Sequence, residues 1–223
     1  MSLLNHEFSQ PKSIRHFFWR IILWVPIAFL IWYALSPILH WPIRWFLSGM
    51  ASLGIPEFVS AVRQTLHGFE FLTTLTPGTE AGQAFRPDAL VSTEVDARLY
   101  TYGNGLLAAL TLAAWHKNRW KNLWYGWLAL LPFQMLAVFA VGMKQIILDL
   151  GPAVRAQVEW AAWQVEIIAY LYQFSTLIMP PVTALAVWLL LHRQFVERFV
   201  GADVIALIRA SEKKTRNPNK IQV

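Results

Sequence analysis

The long apolar stretches of this chain hold few side chains able to do chemistry. Gln134 and Gln173 each fall about midway along such a stretch, at a depth where water cannot satisfy an amide. Two amides at one depth on neighbouring helices would hydrogen-bond each other, a link worth about 0.6 kcal/mol on average in a bilayer. The rarer use would be a polar pocket for a substrate. Lys144 stands about four residues, or about 6 Å, inside the outer end of its stretch, and Glu166 opens the next stretch at a similar depth. The Lys144 stem can snorkel to the surface from that depth, and an ion pair with Glu166 between neighbouring helices, extendable by Asp149 and Arg155, is also open to it. This pattern suits structure or partner docking better than catalysis.

Other chemistries lack their parts. A haem between helices needs His near mid-span on facing helices. Here His6 and His16 precede the first stretch, His40, His116 and His192 sit at stretch boundaries, and His67 lies between stretches. Spacings of the H-x-x-x-H or H-x-x-E-H kind are absent, so no zinc site is expected. With no cysteine there is no thiolate ligand, thiol nucleophile or disulfide. Ser175 has no His near it in sequence, and only Ser92, Thr93 and Glu94 with His67 could form a nucleophilic set. No cofactor is called for, and enzymatic activity is not expected. The rival enzyme reading would centre on His67, Asp88 and Glu94.

The elements that must position these residues follow from composition. Of 223 residues 56% are hydrophobic and 14% charged, too little charge to clothe a soluble globule. A bilayer core of about 30 Å takes about 20 apolar helical residues. Residues 21–39, 99–115, 123–143 and 167–191 qualify, the second being the shortest. The expectation is an all-α integral membrane protein with four transmembrane helices, at 17–40, 99–115, 123–148 and 164–192. The first is read as an uncleaved anchor, because it is longer than a signal-peptide core of about 7–15 residues and Trp41, Pro42, Arg44 and Trp45 follow it. Those tryptophans suit an outer aromatic belt. Pro132, Pro180 and Pro181 predict kinks in the third and fourth helices.

Counting Arg20 at the start of the first helix, thirteen of the 19 basic residues lie on the side holding the tail 1–16, the loop 116–122 and the segment 193–223. Counting Glu166 at the start of the fourth helix, nine of the 13 acidic residues lie on the other side, which carries 41–98 and the loop 149–163. The positive-inside rule then places both termini in the cytoplasm. In the C-terminal segment Phe195, Phe199, Val200, Val204, Leu207 and Ile208 recur near helical spacing among cations. A C-terminal amphipathic cytoplasmic helix on anionic inner-leaflet lipid accounts for the formal charge of +6 without nucleic acid. Between helices 1 and 2, residues 41–98 form a small α+β extracytoplasmic insert. Pro56 is expected to open a short helix bearing Phe58, Val59, Val62 and Leu66, followed by a strand over 69–75, a turn at 76–79 and a return strand over 89–97. Such a helix-plus-hairpin module is too small to stand alone and is expected to rest on the membrane.

The segment 150–198 resembles the exosortase H-associated membrane proteins. The resemblance rests on Leu150-Gly151-Pro152-Ala153-Val154, Ala156-Gln157, Trp163-Gln164, Glu166, Tyr172-Gln173-Phe174, Leu177-Ile178-Met179-Pro180, Trp188 and His192-Arg193-Gln194-Phe195 with Glu197. Tyr100-Thr101-Tyr102-Gly103 and Lys144-Gln145 extend it upstream. The family's Asn-Pro before the tyrosines is replaced by Asp96-Ala97-Arg98-Leu99. The resemblance implies a bacterial inner-membrane companion of an exosortase, a multi-pass transpeptidase that processes proteins bearing a short C-terminal sorting signal. Those enzymes use a Cys with Arg and His, so a chain without Cys is not that enzyme by that mechanism. The reading is a non-catalytic accessory protein with Lys144, Glu166, Gln134, Gln173, Tyr100 and Tyr102 as its contact surface. The alternatives are a small transporter or channel subunit, or an assembly factor of another membrane complex.

Overall fold

The computed structural model describes residues 14–77, 90–114 and 118–197. Helix α1 (Ile14–Leu39) meets α2 (Trp41–Ser52) at a single turn at His40, and the two make one apolar length from Arg15 to Ser52. A three-stranded sheet follows, β1 (Val59–Gln64), β2 (Phe69–Thr73) and β3 (Ser92–Val95), antiparallel in that order. Next come α3 (Arg98–Thr101), α4 (Gly103–Ala114) and the long α5 (Arg119–Lys144), which continues into a π-helical turn, Gln145–Asp149. A single turn α6 (Pro152–Arg155) leads to α7 (Ala162–Leu177) and α8 (Met179–Leu191).

Two lengths among the described residues can cross a membrane by length and composition: Arg15–Ser52 and Arg119–Asp149. The pair α7 and α8, bent by 61°, is a third if it forms one crossing. The bend falls where expected. Pro180 and Pro181 have no N–H, so the carbonyls of Thr176 and Leu177 lose their helical donors. Pro180 then sits in the first turn of α8, where a missing donor costs nothing. Pro132 lies inside α5 without ending it. Helix α4 has twelve residues, about 18 Å, which is short of a bilayer core.

The insert differs from expectation in one element. Residues 59–64 are a strand, and the helix lies earlier, as α2. The register shifts between Val59 and Ala61, a bulge that puts one extra residue in β1. Val59 and Val62, three apart, therefore face the same core, and a strand acquires the spacing of a helix. The hairpin of β2 and β3 forms within the expected ranges. The expected turn at 76–79 lies partly outside the described residues, as do Asp88 and His116.

The insert also shares its core with the helices instead of merely resting on the bilayer. Phe69 and Phe71 of β2 are fully buried with Ile43 and Leu47 of α2, with Met143 at the C-terminal end of α5 and with Ile146 and Ile147 of the π turn. Gly142 makes this possible, because a Cβ there would lie 2.6 Å from the Phe71 ring. A second core lies at the opposite end, where Phe17 stacks on Trp188 at 5.8 Å and Phe195 joins them. Phe195, read from sequence as part of a leaflet-bound face, is thus buried in the bundle. Phe199, Val200, Val204, Leu207 and Ile208 lie outside the described residues.

Candidate functional site

At the C-terminal end of α5, Lys144 donates to Asp149 Oδ2 at 2.7 Å, and its ammonium sits 4.8 Å from the centre of the Tyr172 ring. Glu166, a candidate partner by depth, is not the one it finds. The reason is local. In an α-helix the neighbours of residue i are i+3 and i+4, whereas a π turn aligns i with i+5. The turn Gln145–Asp149 therefore swings Asp149 onto Lys144. Glu166 is left exposed on α7, and it has no ion pair or hydrogen bond among the described residues. Tyr100 is buried in the same core, which Tyr172 packs against. Tyr102 is half-buried at the turn between α3 and α4. Arg155 is exposed on α6 and does not join the Lys144 pair.

Deeper in the bundle Gln134 is buried, and its partner is Asn104 instead of Gln173. Gln134 Nε2 donates to Asn104 Oδ1 at 2.8 Å, with a longer return bond of 3.4 Å from Asn104 Nδ2. Asn104 sits between two glycines of α4. A Cβ at Gly103 would lie 2.7 Å from the Pro180 carbonyl, and one at Gly105 would lie 3.3 Å from the Phe29 ring. Small residues let helices approach closely enough to share short polar side chains. The triplet Gly103-Asn104-Gly105 was thus the sequence signal for this pair, and sequence reasoning passed over it. Gln173 faces outward from α7.

Further contacts absent from the sequence reading tie the insert to the helices. Buried His40 donates from Nε2 to Thr101 Oγ1 at 2.9 Å, while Thr101 donates to the Ala97 carbonyl at 3.0 Å. Thr93 on β3 donates to Gln145 at 2.7 Å. Asp96 receives the Arg98 backbone N–H at 3.0 Å and a two-pronged guanidinium contact at 3.0 and 2.8 Å. The same guanidinium lies 5.0 Å from the Tyr33 ring centre on α1. The hydrogen bond from Arg98 holds the Asp96 carboxyl below its ordinary range against the opposing effect of partial burial. His67 lies between β1 and β2, and Glu94 faces Glu70 across the β2–β3 ladder. Among the described residues, no group of three or more His, Asp or Glu is placed to hold a metal ion.

These contacts lock helices together and fix the insert, and they leave Glu166 and Gln173 as outward-facing polar groups on α7. Comparison with known proteins gives one match of family rank. The profile described as exosortase H-associated membrane protein matches residues 11–195. No curated protein and no solved structure matches the chain.

Proposed function

The chain belongs to the exosortase H-associated membrane protein family, and from that premise we propose that it is a non-catalytic accessory of an exosortase-type C-terminal sorting system. Its task is to dock the sorting enzyme or its cargo within the membrane. The observation that carries this reading is Glu166, an exposed carboxylate near the outer end of α7 whose candidate partner, Lys144, is engaged by Asp149. An unpaired charge near the bilayer calls for a partner, and none of the described residues supplies one. Of the contact residues read from sequence, Glu166 and Gln173 face outward and would touch that partner. Lys144, Tyr100, Tyr102 and Gln134 support the helices behind them.

The same reading has four crossings. Residues 98–114, which hold α3 and α4, span about 26 Å by helical rise, enough to complete a second crossing with the residues beside them. The basic residues then place both termini in the cytoplasm of a bacterial inner membrane, with the C-terminal tail on anionic lipid. A transport role would use Gln134 as part of a hydrated path, but Gln134 and Asn104 satisfy each other.

The test is affinity purification from native membranes in mild detergent, followed by mass spectrometry. A stoichiometric membrane transpeptidase, weakened by Glu166→Gln, is the expected result. Recovery of the protein alone, or with an unrelated complex, would overturn the reading.

A further inference from the structure

Helix α7 has two faces. Val165, Ile168, Tyr172 and Ser175 turn toward the bundle. Trp163, Glu166, Tyr170, Gln173 and Leu177 turn away from it, with Trp163 61%, Tyr170 70% and Leu177 73% exposed. These five residues are spaced three, four, three and four apart, the a/d repeat of a helix that packs along another helix at a shallow left-handed angle, and the exposed Ile167 and Phe174 flank them. The rest of the molecule provides the control. On α1 the outward side chains from Phe18 to Ile38 include no amide and no carboxylate, and on α8 Val182, Leu185, Leu189 and Leu190 are all aliphatic. Those faces suit lipid. The α7 seam instead sets a carboxylate and an amide seven residues apart, about 10 Å along the axis, and lipid satisfies neither.

Resting on the docking role proposed above, we infer that this seam receives one transmembrane helix of another protein. That helix carries a Lys or Arg at the depth of Glu166 and a hydrogen-bonding side chain at the depth of Gln173. A second copy of this chain is a poor occupant. Two copies in one membrane orientation, related by a two-fold axis along the bilayer normal, bring residues of equal depth together, so Glu166 would face Glu166. Like charges in contact oppose that pairing, whereas a cation on a foreign helix neutralises the carboxylate and lets it remain in the bilayer.

The experiment places a photo-cross-linking phenylalanine at Tyr170 or Leu177 of the full-length protein in its native membranes, with Leu30 on α1 and Leu190 on α8 as controls. The expected result is that both seam positions cross-link to a single transmembrane helix of another polypeptide, with sites at heptad spacing and a Lys or Arg in register with Glu166. The controls should reach lipid only. The yield should fall roughly threefold for each of Gln173→Leu and Glu166→Leu, the scale of one interhelical hydrogen bond in a bilayer. Glu166→Asp, which keeps the charge, and Gln173→Asn, which keeps the amide, should retain the yield and so guard against misfolding as the cause of a loss. Cross-links to a second copy, lipid alone at every position, or a yield unchanged by the substitutions would each overturn the seam. If affinity purification still recovers a transpeptidase while the seam gives no cross-link to it, the accessory role stands and the seam falls. If neither appears, both fall.

Discussion

A double-mutant cycle on Asn104 and Gln134 tests the packing of the bundle most directly. Both side chains are buried between α4 and α5 and share one good hydrogen bond of 2.8 Å, with a weak return contact at 3.4 Å. Asn104→Leu and Gln134→Met keep the volume and remove the amide. Each single change leaves the opposite amide buried without its partner, a cost of about 1–3 kcal/mol. In a membrane the reference state also finds partners for such groups, so the coupling should fall between about 0.6 and 1.7 kcal/mol. The expected outcome is that each variant loses about 1–2 kcal/mol, with the double variant losing less than the sum by about 1 kcal/mol. Equilibrium unfolding in mixed micelles can follow the fluorescence of the 12 tryptophans. Additive costs, with coupling below about 0.3 kcal/mol, would mean that the two amides do not meet and that the contact between α4 and α5 is wrongly described.

Gly103→Ala should destabilise by about 1–3 kcal/mol in the same assay, because its Cβ would press on the Pro180 backbone carbonyl at 2.7 Å. Gly49→Ala on α2, with nothing within 4 Å, should be neutral or stabilising by up to about 1 kcal/mol. Asp96 has its folded-state pKa depressed by Arg98, so its contribution is present above the unfolded value of about 3.9 and is lost as pH falls through the folded value. Acid unfolding of Asp96→Asn should lack that component, which stays below about 1 kcal/mol because the pair is partly exposed. With no native cysteine, single-cysteine variants report orientation cleanly. Ser60→Cys, exposed on β1, should react with an impermeant maleimide in intact spheroplasts, whereas Ser211→Cys should react only after permeabilisation. The opposite pattern would invert the topology.

The sequence by itself settled what depends on composition and on runs along the chain. Apolar length identified a membrane protein, and the residues from 150 to 198 carried the family. The missing donors of Pro180 and Pro181 located the bend, and the alternation around Phe69 located the central strand. What it misread depended on a change of period that local pattern cannot reveal. The bulge in β1 made Val59 and Val62 look helical, and the π turn after Lys144 gave that cation to Asp149 instead of Glu166. The pairing of Gln134 depended on which helix came closest. That was decided by the absence of Cβ atoms at Gly103 and Gly105, which let α4 reach Pro180 and Phe29 and set Asn104 against α5. Lipid-like side chains attract one helix about as well as another, so polar partners in a bilayer are chosen by close packing, and close packing exists only once the helices are assembled.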